Sequence, residues 1–320
     1  MNVNQYYERL IYNAIEKGVS DIHIHASHHS KILFRTSGKL VVWEKLKLDY
    51  AKRIVNYIRY ISKIDMNYRN KPQTGHLVYN LKGKKYNLRV SSLVGKDDDT
   101  IVIRILNNHQ SLSIDMLTSI KKVQNFLFDI VSEDHGLFVI SGATGSGKST
   151  TLYTLLDTIY QQKQRNIITL EDPIEIDKNY CLQIQLNENQ GITYDESLKQ
   201  ILRHDPDVIM IGEIRDEITA HLALTCALTG HLVLTTIHAS NCRSTIKRLE
   251  NLGINRIDLQ DVLVGIMTQK MTFNEKGQHI ILPEFMNKQQ IDSFLQKHNT
   301  SYFDFEQATQ SLNDLGVYNE

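Results

Sequence analysis

Eight consecutive residues, Gly142-Ala143-Thr144-Gly145-Ser146-Gly147-Lys148-Ser149, carry the clearest chemistry in the sequence. They fit the pattern G-x-x-x-x-G-K-[ST], and Thr150 follows directly. Glycines at these positions let successive backbone N–H groups turn toward a phosphate. Lys148 offers a point charge to the β- and γ-phosphates, and Ser149 offers a hydroxyl to Mg²⁺. An apolar strand before the run and a helix after it are the expected context, and the helix N-terminus favours an anion further. The pattern implies binding of a nucleoside triphosphate together with Mg²⁺.

Three further runs hold groups that could serve such a site. Asp207-Val208-Ile209-Met210-Ile211-Gly212-Glu213-Ile214-Arg215-Asp216 is an apolar strand with an acidic end, which makes Glu213 a candidate for Mg²⁺ or its water, with Arg215 beside it. Ile168-Thr169-Leu170-Glu171-Asp172-Pro173-Ile174-Glu175 ends another apolar run, and strand C-termini of an open α/β sheet face the ligand. Glu171 could orient or deprotonate water there; three acids around a proline also suit a solvated turn. Gly230-His231 leads through an apolar strand to His238, which could sense a phosphate or simply cap the core. His23, His25, His28 and His29 sit near Asp21 at strand spacing, yet no cysteine or second carboxylate joins them, so no metal site is expected. Lys82, Lys84 and Lys85 read as a solvated hairpin tip.

The elements that must position these groups fall into two regions. Residues 1–108 alternate helix with short antiparallel strands and predict a small α+β domain. Residues 109–118, beginning in a polar stretch around Asn107 to Ser111, predict a linker. Residues 119–285 alternate helix with doubly apolar strand, the mark of a mostly parallel sheet covered on both faces. Residues 243–320 read as mostly helical, with 286–320 a helical tail. The chain has 320 residues, 41% hydrophobic and 22% charged, enough to bury two cores.

A net charge of zero argues against a generally basic nucleic-acid coat. It conceals a split: residues 1–110 carry 19 Lys/Arg against 9 Asp/Glu, and residues 111–320 carry 17 against 27. Cys181, Cys226 and Cys242 show no CxxC spacing, which predicts a reduced cytosolic protein without a structural zinc site. The start lacks a signal peptide's basic and apolar regions, and the uncharged stretch Ile218 to Cys242 is broken by histidines, threonines and Thr229-Gly230, so no transmembrane span is expected.

Taken together, the motifs resemble the secretion and type IV pilus motor ATPases. Leu202-Arg203-His204-Asp205-Pro206-Asp207 running into Gly212-Glu213-Ile214-Arg215-Asp216 is similar to that family's signature. Glu171-Asp172-Pro173 resembles its aspartate box, and Thr229-Gly230-His231 through His238 its histidine box. Ser20-Asp21-Ile22-His23, Phe34-Arg35 with Gly38, Pro72-Gln73-Thr74-Gly75, Leu88-Arg89-Val90-Ser91 and Ile103-Arg104 match landmarks in the first region.

The resemblance implies an N-terminal PAS-like domain, a RecA-like ATPase domain and a hexameric ring, with Glu171 as catalytic glutamate. It also implies that Arg89 and Arg104 reach the γ-phosphate, bringing positive charge that an acidic nucleotide domain otherwise takes from Lys148 alone. Asp172, Arg203, Asp207 and His231 are further motif positions. The family's tetracysteine zinc insertion is missing, as is the A-I-R motif of retraction motors. A short, zinc-free motor is most similar to the subgroup that drives the competence pseudopilus of Gram-positive bacteria in DNA uptake. The resemblance further implies a cytoplasmic protein peripheral to the membrane, docked on an inner-membrane platform protein, with no direct contact to nucleic acid. A retraction or type II secretion motor of the same family, a DNA-translocating ring ATPase and a non-hydrolysing nucleotide-gated scaffold remain the alternatives.

Overall fold

Asn2 caps the first helix, its side chain accepting the backbone N–H of Gln5 at 2.8 Å, while Tyr6, Tyr7, Leu10, Ile11 and Ala14 recur at helical spacing and are buried. In this computed structural model that helix, α1 (Val3–Glu16), opens the first of two compact units, Met1–Asn108 and His109–Glu320. The structure describes residues 2–36, 38–68, 71–96, 98–106, 112–186, 192–274, 279–296 and 300–317.

The first unit continues with β1 (Asp21–Ala26), β2 (Lys31–Thr36), β3 (Lys39–Lys45), α2 (Leu48–Ile61), β4 (Gln73–Leu81), β5 (Lys84–Val94) and β6 (Asp99–Leu106). Its strands form an antiparallel sheet in the order β3-β2-β1-β6-β5-β4. Ile22 and Ile24, Leu88 and Val90, and Ile101, Ile103 and Ile105 alternate along their strands, and all pack in one core with the apolar faces of α1 and α2. Arg59 is fully buried and donates to both oxygens of Asp99 and, at 2.9 Å, to Ser92; a buried charge is tolerable when every donor finds an acceptor.

The second unit contains α3 (Ile114–Leu117), α4 (Lys121–Ser132), β7 (Gly136–Ser141), α5 (Lys148–Lys163), β8 (Ile167–Glu171), β9 (Leu182–Gln185), α6 (Tyr194–Ile201), β10 (Val208–Ile211), α7 (Glu217–Leu228), β11 (Leu232–Ile237), α8 (Cys242–Asn251), α9 (Arg256–Val262), β12 (Leu263–Phe273), β13 (His279–Asn287), α10 (Lys288–Leu295) and α11 (Phe305–Asp314). Seven strands run in the order β13-β12-β7-β11-β10-β8-β9, parallel except for the antiparallel β12/β13 pair. Two apolar clusters form around this sheet, one built on Leu137, Val139, Ile209 and Val233, the other on Phe138, Ile140, Met210 and Leu234. That alternation along β7, β10 and β11 explains why these strands read as unbroken apolar runs. No helix among the described residues is long and apolar enough to cross a membrane.

Two expectations change. Asn107 to Ser111 lie outside the described residues, and the remainder of the expected linker contains α3, capped by Ser113. Residues 243–320 are not mostly helical, because β12 and β13 add a long hairpin to the sheet. The first half of β12 is buried on both faces, so it has no polar alternation to mark it as strand, and periodicity cannot separate such a run from a buried helix. The last two helices do not trail away. Ile291, Leu295, Ala308 and Leu312 are buried, and Phe303 accepts the backbone N–H of Phe285 at 2.9 Å with its ring against that of Phe285.

Candidate functional site

The phosphate loop joins β7 to α5, and its backbone is set by three glycines with positive φ: Gly142 (145°), Gly145 (81°) and Gly147 (87°). A β-carbon on Gly142 would lie 2.4 Å from the carbonyl oxygen of Gln269 and 2.6 Å from Ser146 Oγ, so the chain has room for glycine only. Lys148 Nζ donates to the carbonyl oxygens of Gly142 and Ala143, each at 3.0 Å, which folds the side chain back along the loop. Burial pulls the Lys148 ammonium below its ordinary range, and the charges of Glu213 and Glu175 act in the opposite sense. Ser146 Oγ is buried without a protein partner, an orphan polar atom in a cradle of backbone turns. The loop therefore fits an anionic group bearing acceptor oxygens, as a triphosphate does.

Parallel pairing decides which other residues share this end of the sheet. Ser141 pairs with Ile237, Thr235 with Ile211, and Ile211 with Leu170, so Gly142, His238, Gly212 and Glu171 all stand at the C-terminal edge. There His238 bridges two elements: Nε2 lies 2.9 Å from Glu213 Oε1 and Nδ1 lies 3.1 Å from the Gly142 carbonyl oxygen. Both partners are acceptors, so the ring, set between Glu213 and the loop carbonyl, donates through the nitrogen that carries its proton. Arg215 Nε donates to Glu213 Oε2 at 2.9 Å and Arg215 Nη1 to Asp172 Oδ2 at 3.3 Å, tying the ends of β10 and β8 together. Ser149 and Thr150 lie half-buried on the first turn of α5. Among the described residues no group of three or more His, Cys, Asp or Glu side chains could hold a metal by itself. A Mg²⁺ arriving with phosphate oxygens and waters needs only one or two protein ligands, which Ser149 and Glu213 can supply.

Asp207 and His231 stand at the opposite edge. The six residues of β11 lie between His231 and His238, a separation of about 23 Å over seven extended steps. His231 Nδ1 is 3.0 Å from the Cys226 carbonyl oxygen and 3.0 Å from Thr229 Oγ1, where it closes the turn from α7 to β11. Asp207 Oδ2 accepts the backbone N–H of Asn166 at 2.6 Å, holding the starts of β8 and β10 together. Arg203 is exposed in the short 3₁₀ turn Leu202–His204. In the first unit Arg104 Nε donates to Asp21 Oδ1 at 2.7 Å, and Arg35, Asp21, Arg104 and Arg89 lie side by side in register across four strands.

Glu171 is enclosed rather than open to solvent, with 3% of its surface exposed. Tyr153 donates to Oε2, while Thr169 Oγ1 and Gln183 Nε2 donate to Oε1 at 2.6 and 3.1 Å. Burial pushes its carboxyl up, against those hydrogen bonds and one from the backbone N–H of Glu175. Glu175 itself is exposed, and its charge acts on Lys148. Its place four residues after Glu171, in the same acidic run, is the signal for it in the sequence. Gln269 is fully buried in β12 and donates from Nε2 to Thr151 Oγ1 at 2.9 Å, bracing the start of α5.

Comparison with known proteins places this site in a wider group. The family described as Type II/IV secretion system protein matches residues 1–305. Competence protein ComGA of Bacillus subtilis is 38% identical over 271 residues, 84% of this chain and 76% of ComGA. Type II secretion system ATPase E of Vibrio cholerae is 35% identical over 262 residues, 81% of this chain but only 52% of that longer protein. Among solved structures, the pilus retraction motor PilT with bound ADP superposes with a TM-score of 0.78 at 26% identity, covering 97% of this chain and 93% of PilT.

Proposed function

Since the chain belongs to the Type II/IV secretion system protein family and is an ATPase of the secretion and pilus motor kind, we propose that it drives assembly of a competence pseudopilus for DNA uptake. The observation that carries the finer reading is the identity with competence protein ComGA along 84% of the chain. The motor is read as a RecA-like ATPase preceded by a PAS-like domain, acting as a hexamer on the cytoplasmic face of the membrane against an inner-membrane platform protein. A strain lacking this chain is expected to lose both surface pseudopili and transformation, and the restored gene is expected to return both. Transformation at the parent level without it, or turnover that requires added DNA, would favour the translocating-ring alternative instead.

At the site, the loop N–H groups and Lys148 hold the triphosphate, and Ser149 with Glu213 would hold Mg²⁺. When bound, Mg²⁺ would supply positive charge that offsets the negative charge of the phosphates. His238 and Arg215 fix the Glu213 carboxylate. The acidic run is read as divided between two roles: Glu175, exposed on the loop that leaves the C-terminal end of β8, orients and deprotonates the attacking water, whereas the enclosed Glu171 shapes the loop.

Arg89 and Arg104 are proposed to add positive charge at the γ-phosphate during turnover, a role suited to a guanidinium that binds phosphate oxygens in pairs. Replacing either by alanine is expected to slow steady-state phosphate release about 10-fold or more with circular dichroism unchanged. Parent-like rates in both variants would remove these arginines from the site.

A further inference from the structure

We propose that Tyr153 and Gln183 are positioning residues for ATP hydrolysis, clamping the acidic loop 172–176 through the buried carboxylate of Glu171 so that Glu175 stands beside the phosphate site. This rests on the reading of Glu175 as the residue that acts on water. The clamp is built from three elements. Tyr153 lies on α5, five residues beyond Lys148, and is 2% exposed, so its hydroxyl is fixed to the helix that carries the phosphate loop. That hydroxyl donates to Glu171 Oε2 at the end of β8 and accepts the backbone N–H of Ile176 at 3.5 Å. Gln183, on β9, donates from Nε2 to Glu171 Oε1 at 3.1 Å and to the Ile176 carbonyl oxygen at 2.9 Å, while its Oε1 accepts the backbone N–H of Lys178 at 2.6 Å.

The loop that displays Glu175 is thus held at both backbone groups of Ile176 by two side chains that also bond Glu171. Glu171, Tyr153 and Gln183 form a closed set, because Gln183 Nε2 also lies 3.3 Å from the Tyr153 hydroxyl. Buried charge-assisted bonds of this kind are stiff and act together. A base misplaced by about 1 Å can lose on the order of 10²-fold in rate, so removing one clamp bond while keeping its ring is expected to cost less than removing the base itself.

The test uses the full chain and a double-mutant cycle. Tyr153→Phe is expected to lower kcat about 10-fold while KM for ATP and the affinity for a fluorescent ATP analogue stay within about twofold. Gln183→Leu, at a half-buried site where folding is less at risk, is expected to do the same. Hydrogen exchange at the Glu175 and Ile176 amides should quicken in both. Combined with Glu175→Gln, neither change should slow the enzyme further, because a positioning residue has nothing left to position. If Glu175→Gln hydrolyses ATP at the parent rate, the underlying reading of Glu175 fails and the clamp fails with it. If Glu175→Gln is slow but Tyr153→Phe and Gln183→Leu keep the parent kcat, or their losses multiply with that of Glu175→Gln, the clamp alone is overturned.

Discussion

Lys148→Ala is expected to leave the fold intact and remove ATP binding, with phosphate release falling by about 10²–10³ or more. Two effects combine. The loop loses the ammonium that would meet the β- and γ-phosphates, and hydrogen bonds to charged groups carry about 1.5–3 kcal/mol each. It also loses the side chain that links the Gly142 and Ala143 carbonyl oxygens, so the loop backbone is less organised before any phosphate arrives. Glu175 compounds the loss, since its negative charge would no longer be offset by the Lys148 ammonium, whereas Glu213 keeps Arg215 as its counter-charge. Lys148→Arg is not expected to rescue, because a planar guanidinium does not fit the space of a compact ammonium folded along the loop. Binding of a fluorescent ATP analogue and thermal unfolding, measured side by side, check this: unchanged unfolding with lost binding is the expected pair, and retained binding contradicts it.

What could be read from the sequence follows how local each feature is. The phosphate loop is a contiguous run between strand and helix, so residue types alone place Gly142 to Ser149 at the end of β7. Glu213 and His238 were also legible, because each follows an apolar strand and parallel strands bring their C-termini to one edge. His231 and Asp207 precede their strands, and the same direction rule sends them to the other edge despite their place in the motifs. The acidic run was harder. β8 is buried through Glu171, one residue further than its apolar stretch suggests, so the first acid of the run is enclosed and the later one is displayed. Nothing in the spacing of Glu171, Asp172 and Glu175 reveals that Tyr153 and Gln183, distant in sequence, supply donors to the first of them. β12 escaped for the opposite reason: burial on both faces erased the alternation that marks a strand.

Glu175→Gln is expected to retain ATP and lower kcat by about 10²–10⁴, the usual range for loss of a positioned base. The substitution keeps the side chain's size and exposed position but removes the negative charge that acts on Lys148. ATP affinity should therefore hold or rise slightly, because one carboxylate fewer opposes the triphosphate. Glu171→Gln separates the two acids. Glu171 accepts hydrogen bonds from Tyr153, Thr169 and Gln183, so an amide there would set its own NH₂ donors against at least one of those donors in a buried space. A buried donor left unsatisfied costs about 1–3 kcal/mol, so Glu171→Gln should lower the unfolding temperature as well as the rate. Glu175→Gln, exposed and held by its backbone, should leave that temperature within experimental scatter. Single-turnover phosphate release with prebound ATP, paired with thermal unfolding of each variant, distinguishes the roles. A slow Glu175→Gln with parent-like stability marks the water-activating carboxylate. If instead Glu175→Gln turns over like the parent and Glu171→Gln is inactive but fully stable, the catalytic charge belongs to Glu171, and its enclosure by Tyr153 and Gln183 must open during each hydrolysis.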